Sequence, residues 1–408
     1  MPHDLLSFDD ALPHFRQAMA ACDSVSVPLS QSIARILAQP IAMPKPQPPF
    51  DRATMDGYAV APLPAQPGGP YQILGTVPAG DHTDWNLQAG EAVRIMTGAR
   101  APAGTAVVPI EVCQLDDTPQ AAGVQVPEEL ASVGKNIALA GEDAAAGAPI
   151  GHPGAIIDAA LVAALATTGA DTVLTYEPPH VSLITTGNEV GGEGATSIAN
   201  SNGPLLLGLC AGWQLPTTYQ HCPDDQNTLQ KLFSQQKSHL IITTGGVSAG
   251  DHDYIPAASQ QAGFTFILHG IAMQPGKPVY LAKHDDGRVH LGLPGNPVSV
   301  LATAQLLMGE LLAGCWPGFA LPTLRLPLTA PCAAKRRRLF LPARLVDGGV
   351  EPVRWHGSGD LFAASAADGL IDLAAQTQYE TGTLVTWHPY CHHQPGSRLR
   401  MSRFGDDA

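Results

Sequence analysis

Charged residues are scarce in this 408-residue chain: Asp, Glu, Lys and Arg make up only 14% of it, against about a quarter in an ordinary soluble domain. Cations are the scarcer kind. Lys and Arg number 22 against 36 Asp and Glu, for a net charge of −14. That balance excludes a general nucleic-acid binder, which needs a basic face to meet phosphate. Paired cysteines are also lacking. The seven cysteines, at 22, 113, 210, 222, 315, 332 and 391, form no CxxC. Their odd number argues against a disulfide scaffold or a structural zinc site. The first fifteen residues, MPHDLLSFDDALPHF, carry early acids and no basic region leading into an apolar run, so they do not read as a signal peptide. The most apolar long window, 298–316, is interrupted by Gln305 and Glu310, and no membrane span is expected. A reducing, cytoplasmic setting follows, with no nucleic acid and no membrane as partner.

Turn formers are abundant instead. Glycine (42) and proline (37) make up nearly a fifth of the chain, against about an eighth usually, so short elements and rigid joints are expected. Apolar residues at 45% are enough for a sizeable core and exclude global disorder. At roughly 150 residues per domain the length allows two to three domains.

Residues 7–39 read as helical. Ser7 can cap, Asp9 and Asp10 suit a first turn, and Leu12, Phe15 and Met19 give an apolar stripe. A second helical stretch is expected from Ser30 to Ala38. The run MPKPQPPF, with prolines at 44, 46, 48 and 49, is a stiff extended joint. Beyond it, GYAVA, YQILGTV, EAVRIM, TAVVPI and GVQVP alternate with Gly, Pro and Asp turns and read as a small β unit. Residues 156–169 return to a helix pattern ending at Gly169. From 177 onward, VSLITTG and HLIITTGG are buried strands, with helical patterns at 204–213, 226–236, 255–262 and 298–314. Strands alternating with helices argue a parallel α/β sheet. After about 318 the β-like runs TLRLPL, LFLPARLV and GTLVTWH return. The segmentation is 1–45 helical or linker, 46–140 inserted β domain, 141–176 second helical or linker part, 177–317 α/β domain and 318–408 C-terminal β domain.

Four places could carry chemistry. Asp56-Gly57 in TMDGYAV is a turn dipeptide before a strand, and Thr97-Gly98 in RIMTGAR ends one; each alone reads as a plain turn. TTGNEV sets Glu189 beyond one strand end, and TTGGVSAGDHDY sets Gly245, Gly246, Ser248, Asp251 and Asp253 beyond another. Ligands of open α/β sheets bind at such strand ends. The glycines let a phosphate or ring approach the main chain, and the acids suit Mg²⁺. In MQPGKP, Lys277 is a compact cation suited to phosphate or an oxyanion. In LPGNPVS, Asn296 is a good N-cap and Pro297 suits a first helical turn, so the helix start reads equally as a plain well-capped helix or as an anion seat. The basic run KRRR at 335–338 reads as a solvated loop, and CHH at 391–393 lacks a metal partner set.

The order MDGYAV, RIMTGA, GED, TTGNE, DD before a helix, TTGGVSAGDHDY, PGKP, LPGNPVS and GSGD closely resembles the MoeA family, the molybdopterin molybdenumtransferases, over nearly the whole chain. The resemblance implies α/β plus β architecture in an elongated multidomain homodimer, with the α/β domain binding the pterin. It implies insertion of molybdate, the substrate, into adenylylated molybdopterin with release of AMP. A divalent cation, Mg²⁺, is involved, and a molybdopterin adenylyltransferase is implied as a partner. The family's acid in MDGY falls on Asp56, its strand-end threonine on Thr97 and its TGDE glutamate on Glu189. The acid pair before a helix falls on Asp224 and Asp225, the SxGxxDY aspartate on Asp253 and the PGKP lysine on Lys277. The prolines of PGNP fall on Pro294 and Pro297, and the late serine on Ser358. Asp56, Glu189 and Asp253 are then the expected cation ligands. The resemblance also implies that the partner's Asp56 and the partner's Thr97 complete the site. Asn188 stands where many members have Asp, Gln274 where many have Lys, and Pro342 where many have Arg, with Arg344 two residues on. Those three residues support an alternative, a paralogue that holds pterin as a binding or scaffold protein without inserting metal.

Overall fold

The computed structural model describes residues 5–61, 70–118, 121–190, 197–247 and 254–390. Two compact units form. One comprises 40–151 with 163–170, the other 1–39, 152–162 and 171–408.

The larger unit begins with the helix Phe8–Ala18. Ser7 Oγ accepts the Asp10 N–H at 3.1 Å, and Asp9 and Asp10 lie against the positive helix end. Phe8, Ala11, Phe15 and Ala18 recur at helical spacing and are buried. The helix expected to continue toward residue 39 stops there. Ser24–Pro28 is a strand antiparallel to Thr172–Tyr176, and Leu29–Gln31 is a single 3-10 turn. The second helix expected at 30–38 is absent: Ala34 has φ +63, and Ile36 and Leu37 make extended bridges to Ile156 and Thr175. The reason is competition for hydrogen bonds. Ala34, Leu37 and Ala38 donate to the carbonyls of Ile157, Ala155 and Leu174, and a nine-residue helix is marginal against such partners.

The α/β sheet has the order Thr217–Cys222, Val181–Thr186, Leu240–Thr244, Val289–Leu293, Tyr280–His284, Phe264–His269. Its first four strands are parallel, as expected for VSLITT and LIITT, which are buried on both faces. Tyr280–His284 is antiparallel to both its neighbours, and Asp285-Asp286-Gly287, with Gly287 at φ +94, closes its hairpin with Val289–Leu293. The expected helices are present as Asn202–Gly212, Gln226–Gln235, Tyr254–Gln261 and Pro297–Cys315, the last with a π turn at Ala304–Met308. Pro297–Cys315 is long and apolar enough to cross a bilayer, but 78% of its most apolar window is buried inside the protein. It is a core helix.

The C-terminal sheet runs Met273–Gln274, Arg338–Val346, Gly369–Leu373, Leu384–Pro389, Leu324–Pro327, with Gly349–Pro352 also on Arg338–Val346. Here the solvated reading of KRRR fails for Arg338. Its guanidinium forks onto Asp372 at 2.7 and 2.6 Å, reaches Asp9 at 2.6 Å and lies 4.9 Å from the Phe8 ring centroid. Burial pushes the Asp372 carboxyl up, but Arg338 outweighs it and holds the group below the usual range.

The smaller unit is a six-stranded sheet in the order Ala106–Pro109, Gly57–Val60, Glu91–Ile95, Tyr71–Val77, Ala121–Gln125, Gln114–Thr118. Only the pair Tyr71–Val77 with Glu91–Ile95 is parallel. Gly57 is required: a Cβ there would meet the Val108 carbonyl oxygen at 1.9 Å.

His290 lies in the middle of the α/β sheet with no exposure. Its ring nitrogens meet Thr243 Oγ at 3.0 Å and Ser259 Oγ at 2.8 Å, and burial lowers its pKa to about 3. The unfolded chain protonates this group below about 6.5, the folded chain only near 3. The neutral ring's contribution is therefore complete above pH 6.5 and is lost progressively as pH falls toward 3, by roughly 3–5 kcal/mol in all. Denaturant titrations between pH 7 and 4 should show a shallower loss of stability for His290→Gln than for the parent. Equal slopes would remove His290 from the acid sensitivity.

Candidate active site

Val181–Thr186, Leu240–Thr244 and Val289–Leu293 run in parallel side by side, so their three outgoing loops open at one edge. Glycine lets those loops touch. Gly245 and Gly246 have φ +86 and +61, and the Gly245 N–H donates to the Leu293 carbonyl at 3.1 Å. A Cβ on Gly245 would lie 3.0 Å from Thr186 Oγ1, and one on Gly295 would lie 3.8 Å from Gly245 Cα. Thr186 Oγ donates to the Thr244 carbonyl at 3.0 Å, locking the two Thr-Thr-Gly ends together. Ser248, Asp251 and Asp253 lie outside the described residues.

The PGNP turn starts the core helix with Pro297 in its first turn. Asn296 does not cap it with its side chain, contrary to expectation. The Asn296 amide donates instead to Ser358 Oγ at 2.9 Å, and the Ser358 carbonyl accepts the Val298 N–H at 3.0 Å. A carbonyl brought from the C-terminal part thus takes the place of the side-chain cap, which frees Asn296 to orient a hydroxyl. A second helix start joins the same turn, where the Asn202 amide donates to the Gly295 carbonyl at 2.7 Å.

These contacts border a cleft of ≈ 620 Å³ whose lining includes Gln274, Lys277, Pro294, Asn296, Arg337 and Ser358. Among the described residues no Asp or Glu lines it, in a chain of net charge −14. Lys277 is exposed. The structure therefore brings Lys277, Pro294, Asn296 and Ser358 together, with Pro297 following. Arg337 was missed by the sequence reading. Its run was visible, but its place became clear only because Met273–Gln274 pairs with Arg338 and Leu339.

Glu189, Asp224 and Asp225 are not among the residues that line this cleft. Asn188 and Asp224 bind each other reciprocally: the Asn188 N–H donates to Asp224 Oδ2 at 3.3 Å, and the Asp224 N–H donates to Asn188 Oδ1 at 3.1 Å. Glu189 is exposed beside them, and a Cβ on Gly187 would lie 3.0 Å from both its carboxylate oxygens. Asp225 caps the helix Gln226–Gln235, accepting the Thr228 hydroxyl at 2.6 Å and its N–H at 2.7 Å. Those two bonds hold its carboxyl below the usual range. A magnesium ion takes one or two carboxylates and fills its shell from phosphate and water. The hard oxygens of Glu189 fit that chemistry. Among the described residues no group of three or more His, Cys, Asp or Glu gathers around a common point.

Asp56 and Thr97 belong to the smaller unit and form one constellation. Antiparallel register sets Gly57 opposite Ile95, which brings the two flanking turns together. Asp56 Oδ1 accepts both the Thr97 N–H at 2.7 Å and the Thr97 hydroxyl at 2.8 Å.

The chain matches three family descriptions in series: the MoeA N-terminal region (domain I and II) over residues 6–169, a probable molybdopterin binding domain over 182–313, and the MoeA C-terminal region (domain IV) over 325–390. It is 31% identical over 315 residues to a molybdopterin molybdenumtransferase of Staphylococcus aureus, covering 73% of each chain. A Staphylococcus epidermidis protein of the same name is 28% identical over 410 residues, with 93% of this chain and 94% of the relative covered. A crystal structure of a molybdopterin biosynthesis MoeA protein from Pyrococcus horikoshii superposes with a TM-score of 0.74 at 26% identity, covering 95% of this chain and 99% of that one.

The backbone N–H of Thr97 and then its hydroxyl hold the Asp56 carboxyl below the usual aspartate range. In Thr97→Val only the backbone bond remains. Carboxyl-carbon NMR should then find Asp56 titrating at a higher pH than in the parent, though still below an ordinary aspartate. An unchanged midpoint would mean that the hydroxyl does not stabilise the carboxylate.

Proposed function

The chain belongs to the MoeA family, and from that premise we propose that the Lys277 cleft seats the oxyanion chemistry of a molybdopterin molybdenumtransferase. The protein is a transferase of molybdenum cofactor biosynthesis, acting on molybdopterin and molybdate. In the finer reading, molybdate enters the dithiolene of adenylylated molybdopterin and AMP leaves. The observation that carries this reading is the cleft lined by Lys277, Asn296 and Ser358, with no acid among its described lining residues, beside three glycine-jointed strand ends.

Each residue then has a task. Lys277 meets phosphate or oxyanion with a charge-assisted contact. Asn296 holds the Ser358 hydroxyl toward the same cleft, and the prolines Pro294 and Pro297 stiffen the turn between them. The main chain at Gly245 and Gly246, with Ser248, admits the pterin and its phosphate. Glu189, with Asp56 and Asp253, would hold Mg²⁺, which neutralises pyrophosphate charge when bound. Asp224 fixes the loop that carries Glu189, and Asp225 the helix behind it. The same reading includes a cytoplasmic homodimer whose adenylylated substrate comes from a molybdopterin adenylyltransferase.

The test is AMP release from adenylylated molybdopterin with molybdate and Mg²⁺. The parent should turn over. Lys277→Ala should lose roughly 10- to 100-fold, the equivalent of one charge-assisted bond of about 1.5–3 kcal/mol. Asp56→Ala should lose at least as much, and mixed Asp56→Ala and Lys277→Ala protomers should regain activity. No AMP from the parent would overturn the finer reaction. No recovery despite proven subunit exchange would overturn the shared site.

A further inference from the structure

Two thiols meet at the end of the core helix opposite the Lys277 cleft. Cys315 is the last residue of the helix Pro297–Cys315 and has no exposure. Cys22 follows the first helix and is half-buried. Both are free cysteines. The Cys22 N–H donates to the Cys315 carbonyl at 2.8 Å. A backbone bond of that length sets the two Cα atoms about 5–6 Å apart, inside the range of roughly 4.4–6.8 Å that disulfides span. The chain around both residues is tied down. Arg16 of the first helix pairs with Glu310 of the core helix at 2.7 Å, and the Glu177 N–H donates to the Asp23 carbonyl at 2.8 Å.

The two cysteines differ in access. Cys22 borders an open cleft of ≈ 610 Å³ together with Met19, Asp23, Glu177 and Pro178, and Cys315 is not among its lining residues. The charges nearest the Cys22 thiol are Glu177 and Asp23, which disfavour an anionic oxidant and admit a small neutral one. The Cys315 side chain lies against the Cys22 thiol and holds it below the usual thiol range, outweighing burial and those two acids. The other described thiols go the opposite way. Burial pushes Cys113 and Cys210 up to about 11 and also raises Cys222 and Cys332, and Cys315 is raised by Cys22 and by burial. Thiolate is the reactive form of cysteine.

We propose that Cys22 and Cys315 form a peroxide-sensitive redox site, with Cys22 the residue attacked and Cys315 the residue that resolves it. The Cys22 thiolate attacks one oxygen of hydrogen peroxide and the O–O bond breaks. Hydroxide leaves and takes up the proton given up by the thiol, forming water, and Cys22 becomes a sulfenic acid. The Cys315 sulfur then attacks the Cys22 sulfur and the S–O bond breaks. The Cys315 proton leaves with the hydroxyl as a second water, and a disulfide remains. The two sulfurs lose two electrons and the peroxide gains them. The product bonds the exit of the first helix to the end of the core helix. The site is independent of the reading of the Lys277 cleft.

The full-length protein, treated with a small excess of hydrogen peroxide and alkylated after unfolding, tests the assignment. Its intact mass should fall by two hydrogens, two thiols should escape alkylation, and peptide mapping should find Cys22 joined to Cys315. Dithiothreitol should reverse all three changes. Cys113 and Cys332, the other half-buried thiols, should be oxidised at least tenfold more slowly. Cys22→Ser should leave Cys315 reduced. Cys315→Ala, or Cys315→Ser where the alanine variant does not fold, should leave Cys22 as a sulfenic acid that dimedone traps. The oxidised parent should unfold at a higher denaturant concentration than the reduced one, because the bond constrains the unfolded chain between residues 22 and 315. A parent in which Cys22 is oxidised but never joined to Cys315 would overturn the pairing. Oxidation of Cys113 or Cys332 as fast as Cys22 would overturn the selectivity, and a lower unfolding midpoint after oxidation would show that the fold is not built to hold the bond.

Discussion

The buried helix Pro297–Cys315 is the constraint on which the larger unit depends. Each neighbour approaches it at a point where a larger side chain would not fit. A Cβ on Gly314 would meet the Arg16 carbonyl oxygen of the first helix at 2.0 Å, and one on Gly309 would meet Leu321 at 2.2 Å. A Cβ on Gly276 of the PGK turn would lie 2.2 Å from Thr303 on this helix. Gln305, 1% exposed, donates to the Pro389 carbonyl at 3.0 Å in the C-terminal sheet. A polar side chain this deep must be bonded, so it also fixes where that sheet docks. The first helix, the lysine turn and the C-terminal strands are therefore registered against one rod. The cleft stands at its N-terminal end.

Charge at the cleft is organised by exclusion. In a chain with so few cations, two of them, Lys277 and Arg337, border one cavity that no acid lines among the described residues. Asn188 pairs with Asp224, Asp225 caps a helix, and Arg338 is neutralised by Asp9 and Asp372. An anion entering the cleft meets positive charge and a helix start, with no carboxylate among the described lining residues.

The smaller unit uses hydrogen bonds to the same end. Two turns that look ordinary in isolation converge because antiparallel register sets Gly57 against Ile95. Both donors of Thr97 then converge on one oxygen of Asp56. The carboxylate is held ionised and aimed, with its second oxygen outside those two bonds.

Much of this was legible in the chain. Buried strands ending in Thr-Thr-Gly, the PGKP and PGNP turns and the alternating runs of the inserted unit all depend on short-range rules: side-chain alternation, glycine freedom and proline geometry. Lys277, Asn296 and Glu189 could be singled out because such rules place them beyond strand ends. Tertiary structure decided the rest, where one segment competes for another's hydrogen bonds. The stretch 30–38 has helical spacing but is extended, because the carbonyls of Ile157, Ala155 and Leu174 are better partners than its own. Asn296 looks like a cap, yet the Ser358 carbonyl, sixty-two residues on, arrives first and turns the amide to another task. KRRR reads as solvent-exposed. Only the tertiary structure locks Arg338 between two acids while the Arg337 before it borders the Lys277 cleft. Local rules act within a few bonds of each residue and can be read from its neighbours in the chain. Contacts across tens or hundreds of residues exist only once the core helix has brought the segments together.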